Sequence, residues 1–314
     1  MSAAPRPIAL LLMAMGGPDS VENVERYLLD VRGGRPTSPE LVDEIRARYR
    51  ATGGKSPVLD ITREVAAALE QRLNASGEGR FRCYVGLRHW YPFIKDTYAE
   101  LLKAVPDHIV GLCMAPQYSS LSIGAYVEKV EEARAELADE TPVSFVTTWH
   151  CHPLLIAAIV GHIRRTLERF PLEVRAQVPV LFTAHSLPER VVAMKDPYPD
   201  EVRGTVQAVC AQLVGQPTRF AYQSQGRSGE KWLGPSVEQA LDDLAQAGHH
   251  HVLVAPIGFL CDHVETLYDI DIELRQLAST KGIQLERIPM LNASAPLIDI
   301  LTSVVEAHES SLVH

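Results

Sequence analysis

The feature that most constrains the fold is a rhythm of short apolar runs, each followed by a stretch with helical spacing. Ile8 to Met15 is an unbroken apolar run of strand length, and Phe81 to Leu87, Ile109 to Ala115 and Val143 to Thr148 follow it. Helical patterns lie between them, over Pro39 to Tyr49, Ile61 to Leu73, Phe93 to Ala104 and Ala125 to Leu137. Asp19 or Ser20 can cap an earlier helix carrying Val21, Val24, Tyr27 and Leu28. The second half repeats the rhythm. Strands are expected at Val178 to Thr183, Thr218 to Gln223, Val252 to Ile257 and Gln284 to Ile288. Helices are expected at Pro153 to Phe170, Pro199 to Val214, Val237 to Ala247 and Ala295 to His308. Strand runs without polar alternation are buried on both faces, and strand–helix alternation builds a parallel sheet covered by helices. The expected fold class is α/β, with two doubly wound domains, each on a parallel four-stranded sheet, meeting at a cleft. Their expected bounds are 1–150 and 151–290, and 291–314 is expected as a closing helix packed back on the first domain.

Composition narrows the function. A net charge of −9 argues against a nucleic-acid partner. The charge is uneven: Arg26 to Lys55 holds seven basic residues against four acids. Such a segment suits an anionic small ligand, or is simply a helix with a solvated charged face. No apolar run reaches the ~18–20 residues of a membrane span, and Ile8 to Met15 is too short for a signal peptide. A cytoplasmic protein without integral membrane association is expected. The five cysteines are far apart and form no C-x-x-C pair, so buried free thiols are expected.

In open α/β sheets ligands bind beyond the carboxyl ends of the strands. That rule selects Met15 to Pro18, Leu87 to His89, Pro116 to Ser120, His185 to Pro188, Gln223 to Arg227 and Gly258 to Glu265. A His and a Glu facing one cleft, here His185 and Glu265, can share proton transfer or hold a divalent cation. Glu265, Asp269 and Glu273 recur at four-residue spacing and stack on one face of a helix expected to begin near Asp262. Two readings stand side by side. Asp262 and Glu265 fit a capping box above a solvated acidic face, or the column handles cations. Other positions have plainer readings: Met15 as core, Tyr126 as a packed aromatic, Trp232 to Pro235 as a structural turn. His249 to His251 read as an exposed loop, and His150 and His152 as fold residues. Gly16-Gly17-Pro18 lacks both common nucleotide-binding glycine patterns.

Six motifs occur in order: GGKSP at Gly53 to Pro57, AHSLPE at Ala184 to Glu189, DPYPDE at Asp196 to Glu201, YQSQG at Tyr222 to Gly226, WLGP at Trp232 to Pro235 and DHVETLYDID at Asp262 to Asp271. With them the chain resembles the ferrochelatases, which insert iron(II) into a porphyrin, over residues 8 to 305. The resemblance implies two Rossmann-like domains with the porphyrin in the cleft between them. It implies that His185 and Glu265 are catalytic and meet the metal. It implies porphyrin contacts at Arg32, Arg48, Tyr49, Ser56 and Tyr126, with Met15 at the position where some members ligate iron. Asp269 and Glu273 match a line of acids proposed in the family as a metal or proton path.

The partners so implied are a porphyrin and Fe(II), the latter as substrate, together with other enzymes of the haem pathway; a monomer is expected. No tightly bound cofactor is expected. Some members carry an iron–sulfur cluster on C-terminal cysteines, and here no Cys follows Cys261. The lip segment, Arg32 to Arg48, is polar and charged, which favours the more anionic substrate coproporphyrin III. Met15 instead resembles the protoporphyrin-type members, so protoporphyrin IX is the alternative. Two further readings are a porphyrin- or haem-binding protein without turnover, and a chelatase loading cobalt or nickel into another tetrapyrrole.

Overall fold

A computed structural model describes residues 6–77, 79–226 and 229–312. The chain divides into two compact units. One comprises the chain up to Trp149 together with Asn292 onward, and the other is His150–Leu291.

In the first unit, β1 (Ile8–Ala14), β2 (Phe81–Leu87), β3 (His108–Cys113) and β4 (Val143–Val146) form a parallel sheet in the order β2-β1-β3-β4. Every residue of β1 is buried, because strands flank it on both edges and helices cover both faces. On one face Leu11 and Met13 pack with Ile94, Tyr98 and Val130 from the helices Ile94–Leu101 and Ala125–Leu137. The helix Val58–Leu73 buries Val58, Thr62, Val65, Ala66 and Leu69, a stripe at helical spacing. The helix Ala295–Leu312 packs against it and against β4.

The second unit repeats the topology. Its strands β5 (Val180–His185), β6 (Thr218–Gln223), β7 (His251–Pro256) and β8 (Gln284–Arg287) are parallel, in the order β6-β5-β7-β8. Leu181, Leu241, Leu244, Val252, Val254, Ile270 and Leu274 share its core. In both sheets the second strand lies on one side of the first and the third strand on the other. The topological switch point therefore falls between β1 and β3 in one unit and between β5 and β7 in the other. Crevices for ligands open there, at the carboxyl ends.

Several expected boundaries move. The first helix is Val24–Val31 with Asn23 before it, so neither Asp19 nor Ser20 caps it. The Asp19 carboxylate instead accepts a bond from the Asn23 side chain. His251 is not loop: it opens β7 and meets Phe170 edge-on at 5.6 Å. All five thiols are free; Cys113 is buried, Cys151 is exposed and the rest are half-buried, against the expectation of burial throughout. Among the described residues no helix is long and apolar enough to cross a membrane.

Leu12 is fully buried in the central strand. Leu12→Ala is expected to cost about 2–5 kcal/mol, as a lost transfer energy plus a cavity. Urea unfolding with an unchanged slope would measure it.

Candidate active site

His185 is the last residue of β5, and Glu265 lies in the four-residue helix Val264–Leu267 that follows β7. Their side chains meet at the switch point, with 2.8 Å between Nδ1 and Oε2. Gly258 eases the meeting. A Cβ there would lie 3.2 Å from both Cα and Cβ of Ala184, so the chain leaving β7 crosses β5 at a distance only glycine allows comfortably. The histidine's own backbone is held from below. The Tyr198 hydroxyl donates to the His185 carbonyl at 2.9 Å, and Asp196 accepts from the Tyr198 N–H at 3.0 Å. Both residues belong to the DPYPDE motif. Because an ionised carboxylate only accepts, the contact with Glu265 places the imidazole proton on Nδ1 and leaves the lone pair on Nε2. The side chains are 35% and 21% exposed, so the pair is accessible.

The expected capping box is not the one formed. His263 stands at the N-cap, and its N–H donates to Thr266 Oγ1 at 3.0 Å. Thr266 is fully buried and also reaches Asp262 at 3.4 Å. Threonine thus performs the capping that sequence spacing gave to Glu265, and the Glu265 carboxylate turns to His185. Nor is the acidic stretch one regular α-helix. After Leu267 the chain widens into a π-helical turn, Asp269–Leu274, in which the Glu273 N–H donates to the Tyr268 carbonyl five residues back at 2.9 Å. Such turns recur at functional sites. Asp269 is half-buried and accepts from Ser224 Oγ at 2.7 Å, whereas Glu273 is exposed. The purely solvated reading therefore fails for Asp269. Asp271 turns away from this column and grips Arg287 with both oxygens, at 2.8 and 2.7 Å, and Asp262 joins them at 3.2 Å. That cluster ties β8 to the widened turn.

Electrostatics bind the pair. Burial disfavours the His185 imidazolium, but the charge and hydrogen bond of Glu265, with Asp269 behind, outweigh it and raise its proton affinity. Burial likewise pushes the Glu265 carboxyl up, yet the His185 charge and hydrogen bond, aided by His263, hold it well below the usual carboxylate range. His263 is pushed the other way, with burial dominating, and it packs on Phe259 at 4.4 Å between ring centres. For His185 the stabilisation is complete below the ordinary imidazole value and fades as pH rises through the raised one. For Glu265 it is present above the ordinary carboxyl value and is lost as pH falls through the lowered one. The pair therefore supports the fold most between about pH 4.3 and 6.5.

The six candidate porphyrin contacts all lie in the first unit. Met15 is not core: it follows β1 and is 42% exposed, while Met13 two residues earlier is fully buried. Beyond it the chain presses on Ser56, where a Cβ on Gly17 would collide with the serine side chain. The Ser56 N–H donates to the Pro18 carbonyl at 2.8 Å. Tyr49 is buried beneath the same loop, its hydroxyl 3.6 Å from where that Cβ would stand. Met15, Tyr49 and Ser56 thus gather at the mouth of β1. Tyr126 is buried under the Arg88 guanidinium, which sits 5.9 Å from its ring centre and donates to the Leu121 carbonyl. Arg48 is half-buried against Glu44 at 3.0 Å. Arg32 is exposed at the end of the first helix, and among the described residues no acid pairs with it. Of the loops selected by the strand-end rule, Arg227 lies outside the described residues. Sequence reasoning missed Thr183, Tyr198 and Thr266, and placed Gln223 and Ser224 only in a ligand-side loop, not as supports of the site. The signal was present for four of them, which sit in or beside the DPYPDE, YQSQG and DHVETLYDID motifs.

Fold and site together define a chelatase-type α/β protein. The sirohydrochlorin chelatase SirB of Bacillus subtilis subspecies spizizenii, solved with cobalt, is similar in fold, with a TM-score of 0.58 at 10% identity over 96% of this chain and 94% of that one. CbiX, described as the terminal enzyme of sirohaem biosynthesis in denitrifying bacteria, gives 0.53 at 11% identity, covering 96% of this chain and 99% of its own. The ferrochelatase family profile matches residues 7–309. The ferrochelatase of Herpetosiphon aurantiacus is 43% identical over 95% of this chain and 97% of its own length. That of Deinococcus radiodurans is 38% identical, with 96% of each chain covered. The coproporphyrin III ferrochelatase of Listeria innocua is 34% identical, covering 96% of this chain and 97% of its own. The chain belongs to the ferrochelatase family, enzymes that insert iron into porphyrin.

Glu265→Gln removes the charge that holds the proton on His185 while burial remains. The imidazole is expected to titrate at lower pH than in the parent, as followed by NMR of its ring proton. An unmoved titration would separate the two groups.

Proposed function

We propose that the chain metallates coproporphyrin III with Fe(II), that His185 takes up pyrrole protons, and that Glu265 orients it and meets the metal. The observation that carries the chemistry is the bond between His185 Nδ1 and Glu265. Metallation exchanges two pyrrole N–H protons for one Fe(II), so the site needs a base and an anionic group for a dication. An imidazole with Nδ1–H on a carboxylate has its Nε2 lone pair ready and a counter-charge for the imidazolium that forms. That nitrogen can accept a proton or ligate iron, but not both at once, which gives the neighbouring carboxylate its part. Asp269, behind Ser224, and the exposed Glu273 extend the acidic groups from the pair to solvent, and we assign them to the passage of iron or protons. Iron enters this reading as substrate, and no resident cofactor is invoked.

For the porphyrin, the supporting feature is the polar lip. Arg32 stands exposed beside Gly33 and Gly34, both at positive φ, and its guanidinium is available to a carboxylate. Arg48 in its helix, with Tyr49, Ser56 and Tyr126, completes the proposed contacts. A ring with four carboxylate arms suits such a rim better than one with two. Several relatives at 33–34% identity are named coproporphyrin III ferrochelatases. One residue favours the second reading, protoporphyrin IX: Met15 offers a thioether where the coproporphyrin-type members use a tyrosine to ligate iron in the product.

Anaerobic insertion rates into the two porphyrins separate these readings. Coproporphyrin III is expected to turn over faster, and the reverse order would assign protoporphyrin IX. His185→Ala is expected to lower kcat by ~10²-fold or more, the scale of a lost general base. Porphyrin binding, measured by fluorescence, should survive. Full activity in that variant removes the base from His185. Replacing Asp269 and Glu273 together by Gln should raise the iron concentration needed for half-maximal rate, and an unchanged iron dependence would return both to the solvated surface.

A further inference from the structure

We infer that Gln223 is a positioning residue of the metallation site: one buried amide fixes the main chain at Glu265 and aims Ser224 at Asp269. The inference rests on the roles proposed above for His185, Glu265 and Asp269. Gln223 ends β6, is 2% exposed and lies opposite His185 in the parallel ladder. Its carbonyl accepts from the Ser186 N–H at 2.8 Å, which anchors its own backbone to the residue after the histidine. Its side chain touches three elements. Nε2 donates to the Glu265 carbonyl at 3.1 Å and approaches Ser224 Oγ at 3.4 Å. Oε1 accepts from Thr183 Oγ1 at 2.7 Å.

Chemistry leaves the amide one orientation. The Glu265 carbonyl can only accept, so the nitrogen must face it, and the oxygen then faces Thr183. Thr183 is fully buried on β5, on the same side of the strand as His185 two residues later. A buried hydroxyl and a buried amide that satisfy each other so completely make a support with little freedom. The effect passes to the acidic column through Ser224. That residue holds a left-handed backbone at φ 56°, uncommon for a side chain with a Cβ and maintained only where neighbours insist on it. Its single proton goes to Asp269 at 2.7 Å, while its oxygen faces the Gln223 amide. One side chain thus sets the carboxylate that meets His185 and the hydroxyl that meets the next acid.

Loss of an orienting partner beneath a metal-handling residue costs about 10–100-fold in activity or metal affinity, which sets the expected size. Gln223→Met keeps the volume and removes both hydrogen-bonding ends. Its kcat for Fe(II) insertion should fall within that range, with the porphyrin dissociation constant unchanged. Its crystal structure should show the Glu265 main chain displaced and the contact with His185 lost. Thr183→Val should act in the same direction more weakly, and Thr183→Ser, which restores the hydroxyl, should recover parental kcat. An unmoved Glu265 in Gln223→Met overturns the inference whatever its rate. So does a loss of kcat that Thr183→Ser fails to recover, or that follows the melting temperature across the set. Displacement of Glu265 with full activity would uphold the positioning and instead remove the catalytic reading of the His185–Glu265 pair.

Discussion

The parallel sheet is the constraint on which the site depends. Parallel strands must be joined by crossover helices, so every loop that leaves a strand does so at the same end of its sheet. In the second unit that geometry delivers His185 from β5 and Glu265 from the loop after β7 to one crevice. The two lie 80 residues apart in sequence and 2.8 Å apart in space. Gly258 eases this, because the exit from β7 passes against Ala184. In the first unit the same geometry gathers Met15, Tyr49 and Ser56 at the mouth of β1. The repeat of strand order, rather than any likeness of sequence, is what makes the two mouths comparable.

The fold was legible because apolar period carries most of it. Runs such as Ile8 to Ala14 have no polar face to offer solvent, and only a covered parallel sheet accommodates them. The helix Ala125–Leu137 and the strand Thr218–Gln223 emerged with the bounds that periodicity gives. Where boundaries moved, local hydrogen bonds decided. Asp19 is engaged by Asn23, so the first helix starts later. Met15 shows the limit of hydropathy itself. It continues an apolar run without a break, yet the strand stops at Ala14 and the thioether emerges into solvent, because the glycine turn begins there.

The position of the proposed catalytic pair was legible, and its support was not. His185 and Glu265 are singled out by strand ends and by motif resemblance. The spacing of Asp262 and Glu265 equally licenses a capping box, and no periodicity argument separates the two readings. What separates them is Thr266, a buried residue whose hydroxyl takes the cap and so releases the glutamate. The π turn is hidden for a similar reason: its five-residue hydrogen bond leaves no mark on a four-residue acidic spacing. Thr183 and Gln223 meet across neighbouring strands and Tyr198 reaches His185 from a helix, contacts that sequence distance conceals.

The arrangement around the pair suits the roles proposed for it. If His185 is the base and Glu265 the metal-binding carboxylate, as proposed, the two must hold their separation while a dication arrives and two protons leave, so exposed loops would serve them poorly as supports. Accordingly the groups beneath them are buried and mutually satisfied: Thr183 on Gln223, Gln223 on Glu265, Tyr198 on His185. The acids that lead outward are graded the other way, from half-buried Glu265 and Asp269 to exposed Glu273. A fixed end and a solvated end suit the proposed path, along which an ion would exchange water for protein ligands stepwise. Burying the whole column would leave like charges unsolvated beside one another, and exposing all of it would leave no group held firmly enough to orient the histidine.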